Sequence, residues 1–316
     1  MTTAEKIKQK ARQLGFDLVG ITDASPIDQK DIDLLKNWLM AGSHGQMHYM
    51  ENNLQKRINP AALLENAQSV IVTAINYTTS PQQKTEPRPT GKIAAFAQYQ
   101  DYHEFIKIRL HELAEYANTL ADTAARYKIC VDSVPLAERA LAARAGIGFI
   151  AKNHMLTHPQ LGSHLLLGEI ITELKLDCDK KLTMTCPECD RCVRICPTGA
   201  LKSNGQFDAN KCISYLTIEL KDDIPSELED KIGDQLFGCD HCITACPYNL
   251  VAPPCSNKDF RFFPDRAALS LHKILAMTTV EFDAEFADLP IKRAGLEKLQ
   301  STAKLCLKNI YSGKLQ

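Results

Sequence analysis

The chain has 316 residues, enough for about two domains, and its 45 % hydrophobic and 24 % charged content is that of an ordinary globular protein rather than a disordered one. A net charge of −1 excludes a global basic field that recruits nucleic acid, though not a local patch. No apolar run approaches the ~18 residues of a membrane span, and the N-terminus opens an amphipathic helix instead of an apolar signal, so the expected location is the cytoplasm, with no membrane contact.

In chain order, residues 4–14 read as a helix with Ile7, Ala11 and Leu14 on one face and Gly15 as its stop. Residues 17–22 read as a strand, 31–40 as a helix and 63–67 as a helix end. Residues 69–76 are a nearly continuous β-branched run, the pattern of a strand buried on both faces. The polar, Pro-rich stretch 77–91 reads as a loop. The longest helical pattern covers 103–127. Residues 128–132 read as a short strand and 136–145 as a helix, which Asp132 or Ser133 can cap with Pro135 in its opening turn. A further strand lies within 165–176. This alternation predicts a layered α/β (or α+β) domain over 1–176. A cysteine-rich module follows over 177–255, and a helical tail over 256–316, with patterns at 269–275 and 296–310, is expected to pack back on the body.

The cysteines carry the chemistry. Cys186, Cys189, Cys192 and Cys196, followed by Pro197, fit the bacterial ferredoxin run C-x2-C-x2-C-x3-C-P at every position. Cys239, Cys242 and Cys246, followed by Pro247, repeat the end of that run, and Cys212 is the nearby replacement for its missing first member. Eight thiolates suffice for two [4Fe–4S] clusters, and in two-cluster ferredoxins the fourth cysteine of each run ligates the other cluster. The spacing therefore predicts one cluster on Cys186, Cys189, Cys192 and Cys246, and one on Cys196, Cys212, Cys239 and Cys242. Zinc prefers separated C-x2-4-C pairs or Cys/His mixtures, and disulfides need an oxidising compartment, so both fit less well. Cys130, Cys178, Cys255 and Cys306 are left over as reduced bystanders. The segment between the runs is unusually long, with an acidic connection at 222–230.

The sequence around the clusters is more specific than the clusters themselves. Residues 211–220 (KCISYLTIEL) with 236–247 (LFGCDHCITACP), 131–140 (VDSVPLAERA), 145–149 (AGIGF) with Lys152-Asn153, 167–172 (LGEIIT) and 290–295 (PIKRAG) closely resemble the epoxyqueuosine reductase family, and the resemblance spans nearly the whole chain. It implies a cobalamin-dependent oxidoreductase that reduces the epoxide of epoxyqueuosine, at the wobble position of a tRNA anticodon, to the alkene of queuosine. The N-terminal domain would hold cobalamin, cycling between cob(II)alamin and nucleophilic cob(I)alamin, and the cluster module would pass it electrons from an external donor. The expected partner is the tRNA anticodon stem-loop, and the expected state a monomer. The chain departs from the family pattern at Ala151 and His164.

The same resemblance makes Asp132 the proton donor, a carboxylic acid that an apolar pocket can keep neutral near pH 7. From the residues alone, Asp132 reads more simply as a helix cap. Lys152, Asn153, Ser163 and Glu169 are placed by the resemblance along the cofactor. Arg57 can pair with a cobalamin amide or phosphate, or with tRNA. Ser214 and Tyr215 directly follow Cys212 and are expected to touch both cofactors. Asp101 and His103 begin a corrinoid Asp-x-His-x-x-Gly motif that fails at Ile106, so no histidine is expected on cobalt. His44 and His48 read as structural. Lys202, Lys211, Lys221, Lys292 and Arg293 are candidates for phosphate contacts. Three other readings use the same cysteines: a ferredoxin-type electron-transfer protein, a corrinoid reductive dehalogenase-like enzyme and a structural iron–sulfur RNA-binding protein.

Overall fold

The structure, a computed structural model, describes residues 1–79 and 89–313. A four-stranded sheet of order β1-β2-β7-β4 organises the N-terminal half, with β1 at Leu18–Asp23, β2 at Ser69–Asn76, β4 at Tyr127–Cys130 and β7 at Leu165–Thr172. Every pairing in it is antiparallel, so the strand–helix alternation does not encode parallel crossovers. The eight residues of β2 and the eight of β7 are all buried, as expected for central strands covered on both faces.

Helices α1 (Thr3–Gln13) and α4 (Tyr102–Thr119) cover one face, where Ile7, Ile71, Ile106, Leu110 and Ile170 share a core. Gly168 allows the close approach of α4: an added Cβ would sit 2.5 Å from Ile106 and 2.9 Å from Leu110. On the other face α5 (Glu138–Arg144) buries Leu141 and Ala142 against Val70, Val72 and Ile171. Two helices differ from expectation. The helix read over 103–127 ends at Thr119. The one read over 136–145 begins only at Glu138, with Ala137 at its cap position, so Asp132 caps no helix. Residues 63–67 form turns after two short helical pieces instead of a helix end.

A second core lies beyond the cysteine runs. Strand β3 (Thr90–Ile93) pairs in parallel with β8 (Gln235–Phe237) and antiparallel with β9 (Ala268–Ser270). The end of the stretch read as a loop over 77–91 is thus a strand, and residues 80–88 of that stretch lie outside the described ones. Leu216, Ile232, Leu236 and Phe237 pack with Leu271, Ile274, Phe286, Leu299 and Cys306 from the tail. The tail therefore builds a core with the long segment between the cysteine runs. Even its acidic stretch 222–230 buries Ile224 and Leu228. Among the described residues, no helix is long and apolar enough to cross a membrane.

Candidate active site and cluster module

The two cysteine runs turn into short helices, α6 (Arg191–Ile195) and the helix His241–Thr244, which pack against each other. That contact brings cysteines from distant positions together. Cys186, Cys189, Cys192 and Cys246 line one cavity with Ala151, Lys152 and Asn153. Cys196, Cys212, Cys239 and Cys242 lie within electrostatic reach of one another: burial, and then the Cys212 and Cys196 charges, raises the Cys239 thiol to about 12, and the same causes raise Cys242. Thiols so disfavoured as anions need a cationic centre to stay ionised. Among the described residues, no three cysteine sulfurs lie within 4.8 Å of one another. A Zn–S bond of about 2.3 Å would put tetrahedral thiolates ~3.8 Å apart. The cysteine sulfurs are thus too far apart for one zinc ion, and the two four-cysteine sets match the ligand count of two [4Fe–4S] clusters.

The N-terminal domain holds the Cys212 loop in place. Trp38 Nε1 donates to the Phe207 carbonyl at 3.0 Å, and Ala209 N donates to the Ser43 carbonyl at 2.8 Å. Gln46 N donates to the Tyr215 hydroxyl at 2.8 Å, beside Gly45, whose φ of 59° and lack of a Cβ let the Tyr215 ring sit on the backbone. Cys212 then caps the helix α7 (Ile213–Ile218). Loop 151–163 ties the same domain to both runs. Lys152 Nζ donates to the Cys189 carbonyl at 3.1 Å and pairs with Asp190 at 2.9 Å. Asn153 Nδ2 donates to the Cys242 carbonyl at 3.2 Å, and the buried Ser163 meets Asn249 through its backbone N–H and its hydroxyl. Lys152 and Asn153 thus hold backbone carbonyls of the cluster module, and Lys152 and Ser163 hold its Asp190 and Asn249 side chains.

Asp132 lies where β4 ends, at the floor of a cleft of about 410 Å³ lined by Phe96, Tyr102, His103, Ile218, Glu219, Phe237, Lys292 and Arg293. Its φ of 53° is left-handed, a strained conformation for a non-glycine residue and one that gathers at functional sites. Glu138 Oε1 holds the Asp132 N–H at 2.6 Å. The Tyr102 hydroxyl donates to Asp132 Oδ2 at 2.8 Å, His103 Nε2 stands 3.4 Å from the same oxygen, and Arg293 lies at 3.9 Å. The other ring nitrogen of His103 meets Asp101 at 2.7 Å.

This geometry revises the protonation expected of Asp132. Its side chain is 46 % exposed, and beside the cleft's apolar residues the partners of its carboxylate are the donors and cations Tyr102, His103 and Arg293. The His103 hydrogen bond outweighs burial and holds the Asp132 carboxyl below its usual range. His103 moves the other way: burial works to lower it, but hydrogen bonds to Asp101 and Asp132 carry it up to about 9. Near neutral pH the proton sits on the imidazole, between two carboxylates. His103 is the residue that sequence reasoning missed. The i, i+2 pairing of Asp101 with His103 was visible in the chain, but the 29-residue step from His103 to Asp132 was not.

Behind Asp132 lies a second polar layer. Glu169 is 0 % exposed, and burial and then the Glu138 charge push its carboxyl well up. Burial and then the Asp132 charge raise Glu138 as well, and neither carboxyl oxygen of Glu169 meets a hydrogen-bond partner among the described residues. Arg57 donates to the Tyr49 carbonyl at 3.2 Å, but among the described residues its buried Nε has no partner, and neither has the buried His154 Nε2. Both flank the start of α5: Ala137 N donates to the Arg57 carbonyl, and Arg139 donates to the His154 carbonyl. Buried orphans of this kind are costly unless a ligand completes them. Cobalamin, with carboxamides around its corrin ring, has the chemistry to do so. Tyr215 and Ser214 differ from the rest, since the Tyr215 hydroxyl is taken up by Gln46 and its ring is buried in the second core.

An antiparallel α/β domain with a proton-holding cleft, joined to a module with two four-cysteine sets, defines an iron–sulfur oxidoreductase. Residues 185–249 match the 4Fe-4S double cluster binding domain, and residues 57–133 match the model described as Epoxyqueuosine reductase QueG, DUF1730. The epoxyqueuosine reductase of Cyclobacterium marinum is 38 % identical over 307 residues, covering 95 % of this chain and 96 % of that protein. A crystal structure of epoxyqueuosine reductase with an epoxyqueuosine-modified tRNA-Tyr stem loop superposes with a TM-score of 0.89 at 33 % identity, covering 96 % of this chain and 80 % of that one. The Bacillus subtilis enzyme, solved with its aspartate catalytic loop swung out of the active site, gives a TM-score of 0.87 at 32 % identity, with 96 % and 81 % covered. The chain belongs to the epoxyqueuosine reductase family.

Proposed function

We propose that this protein reduces the epoxide of epoxyqueuosine, carried at the wobble position of a tRNA anticodon stem-loop, to the alkene of queuosine. The reaction takes two electrons and two protons, breaks both carbon–oxygen bonds of the epoxide and releases water. Two [4Fe–4S] clusters, on Cys186, Cys189, Cys192 and Cys246 and on Cys196, Cys212, Cys239 and Cys242, carry the electrons one at a time from an external donor. Cobalamin would supply a strongly reducing, nucleophilic centre for this chemistry. Arg57, Glu138, Arg139, His154 and Glu169 would hold it, a reading supported by polar atoms of Arg57, His154 and Glu169 that meet no partner among the described residues. The enzyme works as a monomer in the cytoplasm, where thiols stay reduced.

The observation that carries this reading is the Asp132–His103–Asp101 chain at the floor of the cleft. An epoxide oxygen leaves poorly as an alkoxide and well once protonated. Asp132 faces the cleft as a carboxylate and relays to the epoxide oxygen the proton that His103 holds. Asp101 keeps the imidazole charged and fixes its orientation, and Tyr102 holds the Asp132 oxygen from the other side. Asp132→Asn keeps the shape but removes the acid. Expected is retention of clusters and cobalamin with alkene formation down by ~10²–10⁴-fold, read in the digested nucleoside with reductant in excess. Near-normal turnover in that variant would move proton delivery elsewhere.

A further inference from the structure

The segment 41–53, which covers the Cys212 loop, carries a second convergence of ligating side chains. His44, His48 and Glu51 stand at i, i+4 and i+7, a spacing that puts three residues on one face of a helical turn. The chain here is a series of turns ending in the 3-10 turn His48–Met50, and one ligand-capable atom from each of the three lies within 4.8 Å of the others. His44 Nε2 is 3.1 Å from Glu51 Oε1, and His48 Nδ1 is 3.6 Å from Glu51 Oε2. We propose that these three residues form a site for one divalent transition-metal ion of the zinc type, separate from the clusters and from the cleft.

The distances suit such an ion. Zn–N and Zn–O bonds of about 2.0–2.1 Å put tetrahedral ligand atoms ~3.3 Å apart. The separations of the two imidazoles from the Glu51 carboxylate, 3.1 Å to Oε1 and 3.6 Å to Oε2, lie on either side of that value. Imidazole and carboxylate together favour zinc and its neighbours over magnesium or calcium, which prefer all-oxygen shells. Two histidines and one glutamate leave a fourth position, as in zinc sites that bind water or an exchangeable anion. The first ligand is held before the ion arrives. The His44 side chain is 6 % exposed, with Trp38 edge-on at 5.8 Å and His48 at 6.2 Å. Among the described residues its buried Nδ1 has no partner, and the polar contact of this ring is directed at Glu51. His48 and Glu51 are 74 % and 50 % exposed, which leaves the fourth position open to solvent.

The test uses full-length, tag-free protein with both clusters loaded, titrated anaerobically with Zn²⁺ against a chromophoric chelator, with iron counted before and after. Expected is one zinc per chain beyond the unchanged iron. His48→Ala and Glu51→Gln, both surface changes, should each weaken that binding by at least about 10-fold. His272→Ala, an exposed histidine on another helix, should leave it as it is. Zinc binding equal in wild type and both variants, or no zinc retained by wild type against the chelator, overturns the proposal.

Discussion

The cluster module and the Asp132 cleft are assembled in opposite ways. In the module, chemistry is local: seven of the eight thiolates come from two short runs, and packing α6 against His241–Thr244 suffices to bring the runs together. In the cleft, chemistry is dispersed. Asp101, His103, Asp132, Glu219 and Arg293 come from four separate stretches of chain, and they meet only because the second core carries 219 and 293 to the end of β4. A site made of motifs tolerates change in its surroundings, whereas one made of folds depends on how two cores dock. Cys212 lies between these cases, since it is a module ligand that the N-terminal domain puts in place.

The comparison is broken most severely at Cys212. Cys212→Ala should lose about half of the ~8 iron expected for two clusters, and with it essentially all turnover, measured by iron assay and by alkene formation. Full iron content would mean that another thiol serves, and that the N-terminal clamp on 207–212 has no such purpose. Next in size is Gly45→Ala. Its left-handed backbone and the Tyr215 ring against it leave no place for a Cβ, and strain of this kind costs about 1–3 kcal/mol. A thermal melt should show that loss, with lowered iron at the Cys212 site, and an unchanged melt would show that segment 41–53 is not braced against α7. The smallest effect is expected at the cleft mouth, where Lys292 lines the cavity and is only 3.7 Å-paired with Asp283. Lys292→Gln should weaken stem-loop binding alike for modified and unmodified anticodons and reduce the log–log salt slope by about one.

The same contrast explains what could be read from the chain. The cysteine sets were legible because ligand spacing is written in consecutive residues. So were β2 and the C-terminal helix, where burial pattern alone decides the element. The end of α4 at Thr119 was not, because residues 120–126 keep an apolar pattern while the chain turns toward β4. Nor was the role of β3, a four-residue strand whose partners lie 145 and 178 residues further on at Gln235 and Ala268. The charge state of Asp132 was illegible for a related reason. It is set by His103, Tyr102 and Arg293, none of which is a sequence neighbour.

The central claim is that the proton for epoxide opening passes from His103 through Asp132, and the pH profile tests it most directly. His103 is raised in the folded protein to about 9 from an ordinary ~6.5, so the ion pair's stabilisation is complete below about 6.5 and is lost as pH rises through about 9. Single-turnover alkene formation, with pre-bound stem-loop and excess reductant, should therefore fall on an alkaline limb near pH 9 in the wild type. In His103→Gln, with clusters and cobalamin intact, the rate should drop and that limb should vanish. A His103→Gln enzyme with the wild-type rate and the same limb near pH 9 would contradict the account.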